Sequence, residues 1–576
     1  MNAFMISSST VKNWERLGTS DSSKLTKRAN KVRSKKRIIP LEYITIKSNI
    51  PVIESIVNKI IYCGLDYKSS IYTLCLKQLE LNGILHNSNV QQVLAEYSAL
   101  GIVPELKHCE LPTNEFDVIG SIYQSLLLEG DKNSMGSYYT PKKVASNMTE
   151  NLDFKAGQTF LDPCCGSGAF LLSLNCEDPS LLYGIDNDPI AVMIAKTNIL
   201  CKYCKLDFIP SIYCFNFLES NSLFNHAAIS DKTFDYICTN PPWGAVTNES
   251  EKLNEITSGE TFSYFFVTSF NKLSPGGIVR FLFPESILNV KAHKDIRLFM
   301  LENCSLKAIT FYKESFSGVV TSYVDILASN TTPVEVLNVT KDGETFGISI
   351  DCFRKTDNLV FNILTNVDIS IIEKIKNTSP YNLSQSIWAL GIVTGNNKEK
   401  LSDSPIQGME PIFTGKEITP YVLKPAKKYV FYDRSQFQQV AKDEIYRSPE
   451  KLVYKFISNR LVFAYDDHGS LFLNSANILI PSIPGMSVKT IMAFLNSDLY
   501  SFLYRKLFGE IKILKGNLLE LPFPNIPAET NANIEQIIDQ FIVSQEDSLI
   551  CKLQKIIYDI FHLTEDEIEY IRSQVK

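Results

Sequence analysis

Between about Asp117 and Ala328 short apolar runs alternate with stretches of helical periodicity, and nothing else in the 576 residues restricts the fold as much. The runs are Thr159–Leu161, Leu182–Ile185, Tyr236–Cys238, Ile278–Phe283 and Ala308–Phe311. Strands separated by helices pair most readily as parallel neighbours, so the pattern predicts an α/β domain around a largely parallel sheet. Residues 329–376 continue with two expected strands, Val334-Glu-Val-Leu-Asn-Val339 and Phe346-Gly-Ile-Ser-Ile350, and then a helix. Ahead of the sheet, Ile53, Ile56, Val57, Ile60 and Ile61 recur at helical spacing, and two or three packed helices are expected up to about Leu100. Residues 6–17 predict a short helix capped near Ser9 or Thr10 and stopped at Gly18. Beyond Thr378 the composition shifts to Pro, Tyr, Asn and Gly, with aromatic strands expected in 428–433, 460–466 and 471–480. The last helix should open with a capping box, Thr564 to Glu567.

Charge is unevenly spread. Residues 1–47 carry eleven Lys and Arg against three acids, although the whole chain has a net charge of −6. Eight of those cations, Lys24, Lys27, Arg28, Lys31, Arg33, Lys35, Lys36 and Arg37, fall in a stretch without an acid. Such a stretch is either a solvated tail or an arm for phosphates. No run of 18 apolar residues is present, which predicts no membrane span. The 13 cysteines are odd in number and scattered, as expected of reduced thiols in a cytoplasmic protein. Cys201-Lys-Tyr-Cys204 has the spacing of a metal pair but lacks a second pair, so no metal is expected.

Three strings carry the chemistry. In Phe160-Leu-Asp-Pro-Cys-Cys-Gly-Ser-Gly-Ala-Phe170 a strand should end at Asp162, and Gly166 and Gly168 allow a tight turn into a helix at Ala169. In Tyr183-Gly-Ile-Asp186-Asn-Asp188 a second strand ends in acid, at an offset from which a carboxylate reaches ribose hydroxyls. The third glycine of a dinucleotide fingerprint and the Walker lysine are both missing, which argues for a nucleoside without pyrophosphate. The third string is Phe234-Asp-Tyr-Ile-Cys-Thr-Asn240-Pro241-Pro242-Trp243-Gly244. Two prolines cannot donate ladder hydrogen bonds, so they end a strand rigidly and leave the Asn240 amide, a backbone carbonyl and an indole at its tip.

Together these strings resemble the adenine-N6 DNA methyltransferases of the γ arrangement. Gly136-Ser-Tyr-Tyr-Thr140-Pro141, Asp117-Val-Ile-Gly-Ser-Ile-Tyr123, Leu273-Ser-Pro-Gly-Gly277 and Phe316-Ser-Gly-Val319 match the family as well. The part beyond 380 resembles TaqI-like target-recognition domains through Gly391-Ile-Val-Thr-Gly-Asn-Asn397, Asn474-Ser-Ala-Asn477 and Ile511-Lys-Ile-Leu-Lys-Gly516. The resemblance implies a Rossmann-like α/β catalytic domain that uses S-adenosylmethionine, a helical N-terminal region and a mixed α/β C-terminal domain for DNA. The expected division is a basic arm over 1–48 whose Ser9–Gly18 resembles the start of a helix-turn-helix module, a helical region over 49–116, the catalytic domain over 117–376, recognition over 377–528 and a helical tail over 529–576. Tyr139, Thr140, Pro141, Asp162, Cys164, Gly166, Asp186, Asn216 and Phe217 would line the cofactor site. Asn216 stands where the family has an acid, so its hydrogen bond to the cofactor's adenine would lack charge assistance.

By the same resemblance the amine of a flipped adenine would donate to the Asn240 side chain and the Pro241 carbonyl, which localises its lone pair for attack on the methyl group. Trp243, with Phe316, would stack on the base in double-stranded DNA. Four alternatives remain beside this reading. They are a modification subunit needing a specificity subunit, the methylase half of a restriction-modification pair with a separate endonuclease, a methyltransferase for protein or ribosomal RNA, and a silent DNA-binding homologue. A fused nuclease is not expected, because the first 115 residues lack an acidic pair with Glu-x-Lys.

Overall fold

The computed structural model describes residues 37, 39–128, 139–150, 152–219, 226, 228–244, 253, 255–312, 322–508 and 512–575. It divides at Phe361/Asn362 into two compact units.

The first unit is built on a nine-stranded sheet in the order β3-β2-β1-β4-β5-β7-β6-β8-β9. Its strands are β1 (Phe160–Asp162), β2 (Leu182–Asp186), β3 (Ser211–Cys214), β4 (Phe234–Thr239), β5 (Leu273–Pro284), β6 (Ser305–Phe311), β7 (Tyr323–Ser329), β8 (Val336–Lys341) and β9 (Glu344–Ser349). β1 to β5 are parallel, as the alternation of strand and helix predicts. β7 inserts antiparallel between β5 and β6, which a hairpin-like return of the chain permits without a crossover helix. Neither β3 nor β7 is among the apolar runs that the sequence marks as strands. The order reverses between β1 and β4, and it is at such a switch point that ligands bind to open α/β sheets.

The N-terminal helices Ile50–Tyr62, Tyr67–Leu81 and Ser88–Ala95 form as the spacing predicts. Asp66 and Asn87 cap the second and third with side-chain oxygens. Ile53, Val57, Ile71 and Leu74 are buried in one core with Ile119, Leu171 and Ile194 around the sheet, so these helices are a layer of the first unit.

The second unit opens with the helix Asn366–Asn377, whose Ile371, Ile372 and Ile375 are buried in that unit's own core. The sequence places this helix at the end of the preceding domain. Two four-stranded sheets follow, one of them ordered Ile387–Leu390, Ala476–Ile480, Lys451–Lys455, Phe463–Asp466. The Lys451–Asp466 ion pair bridges paired residues of that sheet with both side chains shut off from water. The helices Ala528–Ser544, Asp547–Ile560 and Glu565–Val575 pack onto the same core. The last begins with the expected capping box, in which Thr564 N–H donates to Glu567 Oε2 at 2.8 Å and Glu567 N–H to Thr564 Oγ1 at 3.3 Å. It is tied to the unit's first helix, because Lys374 Nζ donates to Glu567 Oε2 (2.8 Å) and Tyr570 OH to Asp368 Oδ1 (3.0 Å). The sequence suggests a sheet edge with solvated cations at Arg505–Lys515. Instead Arg505 and Lys506 lie in the helix Asp498–Phe508, with Lys506 Nζ 2.9 Å from the buried Asp368. Among the described residues no helix is long and apolar enough to cross a membrane.

Candidate active site

β1 ends at Asp162 and turns into the helix Ala169–Ser173 through Gly166 (φ +52°) and Gly168 (φ +95°). Both angles lie in the left-handed region that favours glycine. The turn is fastened to the end of β2, where Cys165 N–H donates to the Ile185 carbonyl and Gly166 N–H to Asp186 Oδ2, each at 2.8 Å. A Cβ at Gly166 would come within 2.9 Å of the Tyr139 ring, so the missing side chain is what lets Tyr139 close over the turn. Asp186 Oδ1 accepts from Asp188 N–H (2.9 Å), and Asp188 caps the helix Pro189–Lys202 while accepting from Tyr123 OH (2.7 Å).

β4 delivers the third string to the same edge. Thr239 Oγ1 donates to Asp162 Oδ1 at 2.6 Å, and Cys164 Sγ is 3.5 Å from the Asn240 carbonyl it donates to. Asn240 Nδ2 donates to Thr140 Oγ1 at 3.2 Å, which orients the amide. The ends of β1, β2 and β4 are thus one hydrogen-bonded assembly. Pro141 directly precedes the helix Lys142–Glu150, its carbonyl accepting from Val144 and Ala145 N–H, and Pro241 and Pro242 carry the chain off β4 without ladder bonds. Trp243 is fixed more firmly than the sequence implies, since its indole N–H donates to the Leu282 carbonyl of β5 at 3.3 Å. Its ring lies 6.3 Å from that of Tyr323, at 43°.

Burial dominates the electrostatics. It pushes the Asp162 carboxyl up to about 7 and Asp186 to about 6, against an ordinary value of 3.8. The Tyr139 phenol is raised by burial too, so its hydroxyl stays protonated, and among the described residues that hydroxyl has no partner. Two acceptor carboxylates, a Cβ-free turn and an unused buried hydroxyl fit a polar nucleoside ligand. The other cofactor candidates differ. Asn216 Oδ1 accepts from Leu218 N–H of its own turn at 3.1 Å. Phe217 is buried, with its ring stacked on Phe265 at 5.7 Å.

Phe316 lies outside the described residues, as do Lys24, Lys27, Arg28, Lys31, Arg33, Lys35 and Lys36. Arg37 is described, and its Nε donates to the Leu126 carbonyl at 2.9 Å, which anchors it to the first unit. Sequence reasoning also missed two buried networks. Asp117 accepts from Gly120 N–H (2.9 Å), Asn198 Nδ2 (2.8 Å) and Ser167 Oγ (2.5 Å), which fastens the glycine turn to two helices. Asp117 stands in the resemblance string, and its place ahead of a helical run is the signal that could have marked it as a cap. The second network, Arg280–Asp325–Tyr312, is built from residues far apart in sequence and leaves no such signal.

Residues 114–377 match the N-6 DNA Methylase family, and residues 410–523 match the TaqI-like C-terminal specificity domain. The type II methyltransferase M.VspI of Vibrio sp. (strain 343) is 29% identical over 332 residues, which cover 55% of this chain and 79% of that protein. The methylase subunit of the type I restriction enzyme EcoEI of Escherichia coli is 25% identical over 216 residues, 34% of this chain and 43% of the subunit. Among solved structures, the type IIL restriction-modification enzyme MmeI in complex with DNA has a TM-score of 0.54 at 12% identity. That match covers 92% of this chain and 98% of the other, and at such low identity the likeness is one of fold.

Proposed function

We propose that this chain, whose residues 114–377 match the N-6 DNA methylase family and whose residues 410–523 match a TaqI-like specificity domain, is a site-specific DNA methyltransferase that methylates the N6 amine of an adenine swung out of duplex DNA. The observation that carries the reading is that Asp162, Asp186 and Asn240, at the ends of β1, β2 and β4, are joined through Thr239, the Gly166 N–H and the Cys164 thiol. S-adenosylmethionine, when bound, supplies an electrophilic methyl group on sulfur. Asp186 would accept from its ribose hydroxyls, and Tyr139 OH would donate to a polar group of the cofactor. Asp162 holds Thr239 and through it the root of Asn240.

An exocyclic adenine amine is a poor nucleophile because its lone pair is delocalised into the ring. Donation of its hydrogens to Asn240 Oδ1 and the Pro241 carbonyl draws the lone pair back onto nitrogen. With its NH2 spent on Thr140 Oγ1, the Asn240 amide would turn its oxygen to the incoming amine. The acceleration then comes from orientation and from acceptors that need not reorganise. Trp243 supports one face of the base, held by its bond to Leu282. The second unit chooses the sequence, and the basic segment Lys24–Arg37 adds sequence-independent contacts to phosphates. The setting that fits this chemistry is the cytoplasm, beside a restriction endonuclease that cuts the unmethylated site.

The test is direct. The full chain is incubated with genomic DNA and S-adenosylmethionine, and the digested nucleosides are analysed by mass spectrometry. N6-methyldeoxyadenosine is expected. N4-methyldeoxycytidine alone, or no methylated base, overturns the reading.

A further inference from the structure

A buried ion pair joins β5 to β7. Arg280 of β5 donates through Nε to Asp325 Oδ1 (2.8 Å) and through Nη2 to Oδ2 (3.0 Å), and Asp325 on β7 is fully shielded from water. Replacing such a pair with well-packed apolar side chains is commonly neutral or better for stability, so folding alone gives little reason for it. Its other contacts point to a reason. Tyr312 OH donates to Asp325 Oδ2 at 2.6 Å, and the Tyr312 ring lies on Tyr323 with centroids 5.2 Å apart and planes at 19°. Tyr323 in turn adjoins Trp243, so three rings run in series to the tip of β4. In the other direction Arg280 Nη1 donates to the carbonyls of Met148 (2.9 Å) and Asn147 (3.3 Å). Those carbonyls end the helix Lys142–Glu150, and Thr140, just ahead of that helix, accepts from Asn240.

We propose that Arg280, Asp325 and Tyr312 are positioning residues that hold the Tyr312–Tyr323–Trp243 wall in register with Asn240, so that a flipped adenine meets a rigid aromatic face. This rests on reading the site as a base-flipping adenine methyltransferase. None of the three touches the reacting atoms. Their effect passes through the wall on one side and the Asn240 support on the other.

The informative variant is Tyr312→Phe, which keeps the ring and removes its tether to Asp325. The assay uses the full chain, S-adenosylmethionine, and a duplex carrying an adenine that the wild-type chain methylates, with 2-aminopurine at that position in a parallel duplex. Loss of one hydrogen bond to a charged group should lower kcat about tenfold. KM for DNA, set mainly by phosphates, and cofactor affinity should stay within about twofold. The 2-aminopurine emission in the complex should rise, because a loosened wall stacks less closely on the flipped base. Wild-type kcat and emission in the variant overturn the proposal, as does an equal loss of cofactor affinity, which marks a general structural role. Should Tyr312→Phe fail to fold, Trp243→Phe probes the same wall by removing the bond to Leu282. The same rise in emission is expected there, and unchanged emission overturns the proposal. If the wild-type chain leaves adenine unmethylated, the functional reading has failed instead.

Discussion

Asp162→Asn should make the cofactor-free protein more stable above neutral pH while impairing its function. In the native state burial pushes this carboxyl up to about 7, so at pH 8 it is ionised against a desolvation penalty. The distance from 3.8 corresponds to about 4 kcal/mol that a neutral side chain escapes. Asparagine keeps the oxygen that accepts from Thr239 and Cys164, but its NH2 group must be buried in place of Oδ2. Taking about half the gain as lost to that amide leaves about 2 kcal/mol, or about 3 °C in the melting of a unit this large. The pH dependence gives the sharper check. A carboxyl with a raised native value holds a proton that the unfolded chain has released, so the wild type loses stability as pH climbs from about 4 to about 7 and no further. The variant lacks that loss, and its advantage should shrink towards pH 4.5 and be full at pH 8. Melting curves without cofactor across this range measure it, and a calorimetric titration at pH 8 should show weakened S-adenosylmethionine binding. A variant less stable than wild type at pH 8, or an advantage that ignores pH, would refute the assignment of Asp162 as a group strained for function.

Asn240→Ala should cut methylation at least about a hundredfold while cofactor affinity stays within about tenfold, because its role falls on the target amine; steady-state kinetics paired with calorimetry measures both. Deleting residues 1–37 should weaken binding to target and unrelated duplexes by similar factors. It should also flatten the log–log salt dependence by about 0.9 for each phosphate that the arm neutralises, and binding isotherms at several salt concentrations would expose a mere solvated tail as an unchanged slope. Exchanging residues 362–576 for the matching part of a relative should change the sequence that is methylated and leave the product N6-methyladenine, as mapping of modified bases in the host genome would reveal.

Strands β1, β2 and β4 are legible because each is a run of apolar residues that ends at or just before a residue with chemical work to do: Asp162, Asp186, Asn240. Strand Ser211–Cys214 escapes because it pairs on one side only and needs few apolar residues. The glycine turn and its carboxylates are readable from spacing, since a βα turn is local and its ligand geometry follows from a few consecutive residues. What spacing does not convey is where a side chain spends its hydrogen bonds. Asn216 turns back on Leu218, Phe217 packs on Phe265, and Trp243 is tied to Leu282. Each of these depends on a neighbour that only the folded chain supplies. Arg280 and Asp325 meet through strand register across 45 residues, a pairing that no local pattern encodes.

The clamp between the helices Asn366–Asn377 and Glu565–Val575 bears on how such a protein changes over generations. Lys374, Asp368, Lys506, Glu567 and Tyr570 gather the two ends of the second unit into one knot of charges. A genetic crossover near codon 361 therefore transmits a whole cassette with its closure intact. A crossover near codon 528 separates Lys374 from Glu567 and takes the Tyr570 hydroxyl from the buried Asp368, which keeps Lys506. Recombination among relatives should accordingly leave its scars at the first place and spare the second, so that new DNA preferences are inherited together with the C-terminal helices.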